Sequence, residues 1–292
     1  VCPRFSSGDG KGLIKSSIRG DDLFILCDVG NYSCTYNYFG RENSMSPDDH
    51  YQDLKRIIQA AGGKAHRINI IMPSLYGGRQ HRRNYRESLD CAVALQELQS
   101  MGVSNILTFD AHDPRVQNAV PLMGLDNIIP SYQVLKAMFK NLSDFRPDKD
   151  HFMIISPDEG AINRNMYYAS VLGVNLGMFY KRRDYSTIID GRNPIVAHEY
   201  MGNDVAGKDV FIADDIISSG ESMLDIAVEL KKRKANKIYC YATYPIFTNG
   251  LEAFNKAYAD GIIDGVFGTN LTYRTPELLS SPWFYEVDCS KY

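Results

Sequence analysis

Short, near-continuous apolar runs alternate along this chain with longer segments whose apolar residues recur at helical spacing. The runs DDLFILCDVG (21–30), RINIIMPSL (67–75), NILTFDAH (105–112), HFMIISPD (151–158), LGMFYKRRD (176–184), DVFIADDI (209–216) and KIYCYATYP (237–245) predict strands. Their unbroken apolar character is that of strands buried on both faces of a parallel sheet. Helices are expected between them, over 47–61, 87–101, 132–142, 161–172, 220–234 and 249–260. Ser46 and Pro47 ahead of Asp48 and Asp49 make a good helix start, because acidic residues suit the positive end of the helix dipole. The alternation predicts an α/β fold with right-handed crossovers. A duplication is suggested by two strands that end in polar chemistry, TFDAH (108–112) and IADD (212–215). The expected architecture is two similar parallel-sheet domains, 1–130 and 131–281, with 282–292 returning to the first. The boundary is set where NIIPSYQVLKAMF opens a new helix.

Composition narrows the function classes. The chain has 292 residues, 44% hydrophobic and 23% charged, enough for one large or two medium globular domains. A net charge of −3 gives no support for bulk nucleic-acid or membrane-surface binding, so any basic site must be local. No apolar run approaches the roughly 20 residues of a membrane helix, and no signal-peptide pattern is visible. The six cysteines are scattered without a C-x-x-C pair, as in reduced, cytoplasmic proteins.

Candidate chemistry lies where the strands end, because open α/β sheets bind ligands beyond the carboxyl ends of their strands. This selects Asp110 and His112, Asp158, Lys181 to Arg183, and Asp214 with Asp215. The densest signal is VFIADDIISSGES (210–222). Two adjacent carboxylates repel each other and are costly to desolvate, so a cis-diol or a cation would relieve them. The Ser218, Ser219, Gly220, Glu221 and Ser222 run then opens a helix, where backbone N–H groups and hydroxyls make a phosphate cradle. Diol plus phosphate describes ribose 5-phosphate. The bland alternative is a solvated strand end with a serine N-cap. A second signal, GGRQHRRNYR, places Arg79, Arg82, Arg83 and Arg86 within eight residues after Tyr76. Such charge density suits a polyphosphate; alone, it would more often be a solvated basic loop.

The 13-residue motif resembles the phosphoribosyl pyrophosphate-binding motif of type I phosphoribosyltransferases and ribose-phosphate pyrophosphokinases. RFSSGD (4–9), IRGDDLFIL (18–26), GGRQHRR (77–83), TFDAHD (108–113), ISPDEG (155–160), YKRRD (180–184) and YATYPIF (241–247) resemble the pyrophosphokinases in order and spacing, over nearly the whole chain. The resemblance implies type I phosphoribosyltransferase-like domains. It implies transfer of the β,γ-diphosphoryl group of ATP to ribose 5-phosphate, giving phosphoribosyl pyrophosphate and AMP. It implies Mg²⁺ at His112 and Asp158, ATP contacts from Arg79, Gln80 and Arg82, and adenine contacts from Phe5, Ser7 and Asp9 of a neighbouring subunit. Lys181 and Arg183 would be the catalytic cations, on a loop that closes over the transition state. A homo-oligomer built from dimers, up to a hexamer, is expected. Ser218, Glu221 and His81 depart from the family pattern, with His81 standing where the family has an acidic residue. Two alternatives therefore stay open: a non-catalytic nucleotide-binding regulatory paralogue, and a nucleobase phosphoribosyltransferase.

Overall fold

The computed structural model of the chain describes residues 1–183 and 195–292, with side chains described at these except 181–183 and 195–198. Two units divide it: residues 1–130 with 271–273, and residues 131–270 with 274–292.

The first unit runs β1 (Asp22–Leu26), β2 (Thr35–Tyr38), β3 (Arg41–Ser44), α1 (Pro47–Ala61), β4 (Arg67–Ile71), α2 (Asp90–Ser100), β5 (Val103–Phe109), a 3-10 turn (Pro114–Ala119) and β6 (Gly124–Ile128). Its sheet is parallel, in the order β1-β4-β5-β6. The expected start of α1 forms as a capping box: Ser46 accepts from the Asp49 N–H, and Asp49 accepts from the Ser46 N–H. Tyr51, Leu54, Ile58 and Ala61 form its buried stripe. They pack with Ile68, Ile70 and Ile106 of the sheet and Leu95 and Leu98 of α2.

Segment 21–30 departs from the both-faces-buried expectation. β1 is an edge strand: Leu23 and Ile25 turn toward the core, while Phe24 and Leu26 are 64% and 70% exposed. The β2–β3 hairpin, absent from the sequence expectation, pairs antiparallel as its own small sheet. Residues 271–273 join this unit through Asp28, which accepts from the Thr272 hydroxyl at 3.2 Å and the Tyr273 N–H at 3.1 Å.

The second unit runs α3 (Ser131–Asn141), β7 (Phe152–Ser156), α4 (Ile162–Leu172), β8 (Asn175–Arg183), β9 (Ile195–Met201), β10 (Asp209–Ile217), α5 (Glu221–Lys232), β11 (Ile238–Pro245), α6 (Glu252–Ala259), β12 (Gly265–Thr269), α7 (Pro276–Ser280) and β13 (Phe284–Val287). Its sheet order is β13-β12-β11-β10-β7-β8-β9, with only β9 antiparallel to its neighbour. β7, β11 and β12 are buried along their whole length, as doubly covered strands should be. Residues 282–292, expected to return to the first unit, lie in the second. β13 pairs with β12, and Trp283 is fully buried against Phe254, with its indole N–H donating to Asn255 at 2.8 Å. Among the described residues, no helix is long and apolar enough to cross a membrane.

Candidate functional site

In the second unit, β10 extends past its neighbour β7. Their pairing stops at Ile212, whereas pairing with β11 continues to Ile217. The overhang carries Asp214 and Asp215. Asp215 is buried, and its N–H donates to the Asp214 carboxylate at 2.8 Å. Burial first, then the charge of Asp215, push the Asp214 pKa well above the ordinary carboxylate range. Arg164 of α4, itself largely buried, opposes that shift from 3.8 Å. The charge of Asp158 adds to it, so these groups share one edge of the sheet. Asp158 opens α4: one of its carboxylate oxygens accepts the N–H groups of Gly160 and Ala161 at 3.0 and 3.2 Å.

Beneath this edge lies Asn165. Its amide donates to the carbonyls of Ala161 at 2.9 Å and Ala213 at 2.8 Å. The second bond engages the residue just before Asp214, on the side that β7 no longer covers.

β10 then turns through Ser218 and Ser219 into α5. Gly220 caps the helix with φ 80°, and a Cβ there would run into the Phe254 ring. No side chain caps the helix, so its first N–H groups and its dipole face the loop. Glu221 is exposed in the first turn, where its charge suits the dipole. The carbonyl of Ser218 accepts the Thr248 N–H at 2.9 Å, which ties the loop to the segment after β11.

The first unit presents its own edge. The loop after β4 carries Arg79, Arg82, Arg83 and Arg86, all exposed. Gln80 faces inward instead: its amide donates to the backbone carbonyl of Ser88 at 2.8 Å and, more weakly, to that of Arg82 at 3.3 Å. This side chain shapes the loop. His81 is also turned in. Burial lowers its pKa, and the charge of Asp113 opposes that shift.

β5 ends at Phe109, and Asp110 takes φ 40°, which breaks the strand alternation. Asp110 is buried and His112 exposed, so the two do not point the same way, as a continued strand would require. Asp113 receives a fork of bonds from Arg115, which hold its pKa at about 2.

Residues 4–10 close a small loop through a bridge between Arg4 and Gly10. Ser7 donates to Asp9 at 2.8 Å, and Phe5 is 54% exposed. The side chains of Lys181 and Arg183 lie outside the described residues; their backbone ends β8.

No group of three or more His, Cys, Asp or Glu side chains converges on a metal position among the described residues. Arg164 escaped the sequence reading. Its signal was weak: a cation inside an otherwise ordinary helix, immediately before the buried Asn165.

Comparison with known proteins follows the same division. Residues 1–102 match the model of the N-terminal domain of ribose phosphate pyrophosphokinase, and residues 125–262 that of the phosphoribosyl transferase domain. A ribose-phosphate pyrophosphokinase of Shewanella oneidensis is 29% identical over 285 residues, 96% of this chain and 80% of that protein. One from Ralstonia nicotianae is 28% identical over 271 residues, 91% of this chain and 76% of that protein. The crystal structure of phosphoribosylpyrophosphate synthetase from Mycobacterium smegmatis superposes with a TM-score of 0.78 at 20% identity. It covers 99% of this chain and 85% of that one.

Proposed function

We infer the reaction from the family to which the chain belongs, the ribose-phosphate pyrophosphokinases. The enzyme transfers the β,γ-diphosphoryl group of ATP to the 1-hydroxyl of ribose 5-phosphate. The hydroxyl oxygen forms a bond to the β-phosphorus, the bridge to the α-phosphate breaks, and AMP leaves with the electron pair.

One observation carries the assignment of the sugar site: a carboxylate pair on the overhang of β10, shortly before the uncapped helix start at Gly220. In this reading the carboxylates accept the ribose hydroxyls, and the N–H groups from Ser219 to Ser222 receive the 5-phosphate. Glu221 is exposed, so its carboxylate need not face that phosphate. Arg164 limits the repulsion within the pair. Arg79 and Arg82 meet the polyphosphate, and Lys181 with Arg183 offsets charge on the migrating group. Gln80 shapes the ATP loop through its backbone bonds.

Mg²⁺ neutralises phosphate charge when bound. The donors fit it, because Mg²⁺ keeps several waters and takes one or two protein ligands beside phosphates. Asp158 supplies a hard oxygen donor, and His112 is exposed beside the ionised Asp113. The exposed Phe5, with Ser7 and Asp9, is the surface offered to the ATP site of a neighbouring subunit in a cytoplasmic homo-oligomer.

The test is direct. The protein is incubated with Mg²⁺, ATP and ribose 5-phosphate, and AMP is measured. AMP formation that collapses in a folded Lys181→Ala variant supports the reading. ATP binding without AMP would favour a regulatory paralogue. Pyrophosphate release from phosphoribosyl pyrophosphate and a base would favour a nucleobase transferase.

A further inference from the structure

Loop 79–86 has to hold Arg79, Arg82, Arg83 and Arg86 close together against their mutual repulsion, and all of these are exposed. Local bonds give part of the order: the Gln80 amide ties the loop to itself. His81 does something different. Its side chain is only 12% exposed although Arg79, Arg82 and Arg83 around it are exposed, and its Nε2 lies 3.4 Å from an Asp113 carboxylate oxygen. Its ring is 5.3 Å from that of His112, tilted by 54°.

Strand register makes this meeting possible. β4 and β5 are neighbours, with Ile71 opposite Leu107, so the loops that leave them emerge side by side. Asp113 is a firm anchor, because Arg115 grips both of its oxygens and the Arg115 N–H donates to it at 2.9 Å. The His81 Nδ1 is buried without a hydrogen-bond partner. An unpaired polar atom in such a place costs stability that an apolar side chain would avoid. What the imidazole offers over a hydrophobe is polar contact, to Asp113 and to the Gly78 backbone.

We propose that His81 is a positioning residue, which fixes the arginine-bearing loop to Asp113 and so sets where that loop meets the nucleotide polyphosphate relative to His112. The inference rests on the pyrophosphokinase reading. It adds a device built on a histidine where the family resemblance has an acidic residue.

Steady-state AMP formation and amide hydrogen exchange test it, on the full chain and on His81→Ala, His81→Gln, Asp113→Ala and the His81→Ala/Asp113→Ala double variant. In His81→Ala, KM for ATP should rise roughly five-fold, the scale of one modest polar contact, with KM for ribose 5-phosphate unchanged. His81→Gln keeps a donor and should recover most of the loss. The double variant should be no worse than either single one. Exchange across 78–86 should quicken in His81→Ala and Asp113→Ala, with thermal unfolding by circular dichroism little changed. Equal changes in both KM values, additive losses in the double variant, or unaltered exchange across 78–86 would overturn the proposal. If the wild-type chain makes no AMP, the pyrophosphokinase reading falls. The positioning role then stands or falls on the exchange result alone.

Discussion

Asn165→Ala probes the joint on which the candidate sugar site stands. Asn165 is fully buried, and its amide is the partner of the Ala213 carbonyl, at 2.8 Å. Leaving that carbonyl bare costs about 1–3 kcal/mol. The other acceptors do not suffer: Ala161 keeps its helical bond from the Asn165 N–H at 3.1 Å, and the Ser156 hydroxyl still donates to the Asp158 carbonyl at 2.8 Å. The vacated side-chain volume adds about 1 kcal/mol. One gain opposes these losses, since the Asn165 Oδ1 is buried without a partner and its removal returns about 1 kcal/mol. The net expectation is a loss of about 2 kcal/mol, or a fall of about 4–8 °C in Tm for a unit of this size. Urea unfolding followed by tryptophan fluorescence reads the right unit, because the chain's one tryptophan, Trp283, is buried there. Ribose 5-phosphate affinity should weaken as well, since the backbone that loses its tie leads directly into Asp214. Asn165→Asp should be worse than the alanine variant, because it faces a carboxylate with backbone carbonyls in a buried site. Its folded-state pKa would be raised, so the added loss should grow as pH rises through that value. An alanine variant within about 0.5 kcal/mol of wild type, with unaltered ribose 5-phosphate binding, would refute the reasoning, since that is the scatter of neutral surface changes.

Three further outcomes follow from the same edge. Asp214 has a raised pKa, so its contribution to stability is full below the ordinary carboxylate value near about 4 and is lost as pH rises through the raised one. Asp214→Asn should therefore flatten the pH dependence of urea stability and stabilise the ligand-free chain at neutral and alkaline pH, while abolishing ribose 5-phosphate binding; lower stability than wild type at alkaline pH would contradict this. Arg164→Met removes the charge that opposes this shift. It should lower ribose 5-phosphate affinity and cost more stability as pH rises, and calorimetry at two pH values would detect a flat response that rejects it. Gly220→Ala places a methyl group in a left-handed turn against Phe254 and should cost about 2 kcal/mol or more, together with phosphate affinity. Wild-type urea stability in that variant would mean the turn is not as tight as described.

What the sequence made legible was contiguous. β7, β11 and the first half of β10 stand out because burial on both faces leaves a near-continuous apolar run, and α1 because its cap and stripe lie within one segment. β12 was missed for a packing reason. It is GVFGT, and a Cβ at Gly268 would strike Pro245 and Phe284, so a strand with poor intrinsic propensity is required by its neighbours. The β2–β3 hairpin was missed because neither strand has a buried face to write a pattern into the chain. β1 misled for the converse reason: an apolar run signalled burial, but an edge position leaves Phe24 and Leu26 exposed.

The site divides the same way. The aspartate pair and the loop after it are adjacent in the chain, and their charges and hydroxyls could be weighed together before any strand was placed. Arg164 enters only because α4 packs near the end of β10. His81 and Asp113 belong to loops that leave different strands, and no local period links them. They meet because β5 lies beside β4 in the sheet, and the order β1-β4-β5-β6 is a property of the assembled unit. Residues that contact the ligand can therefore announce themselves as motifs, whereas residues that hold those motifs in place become visible only when the strand order makes distant loops neighbours.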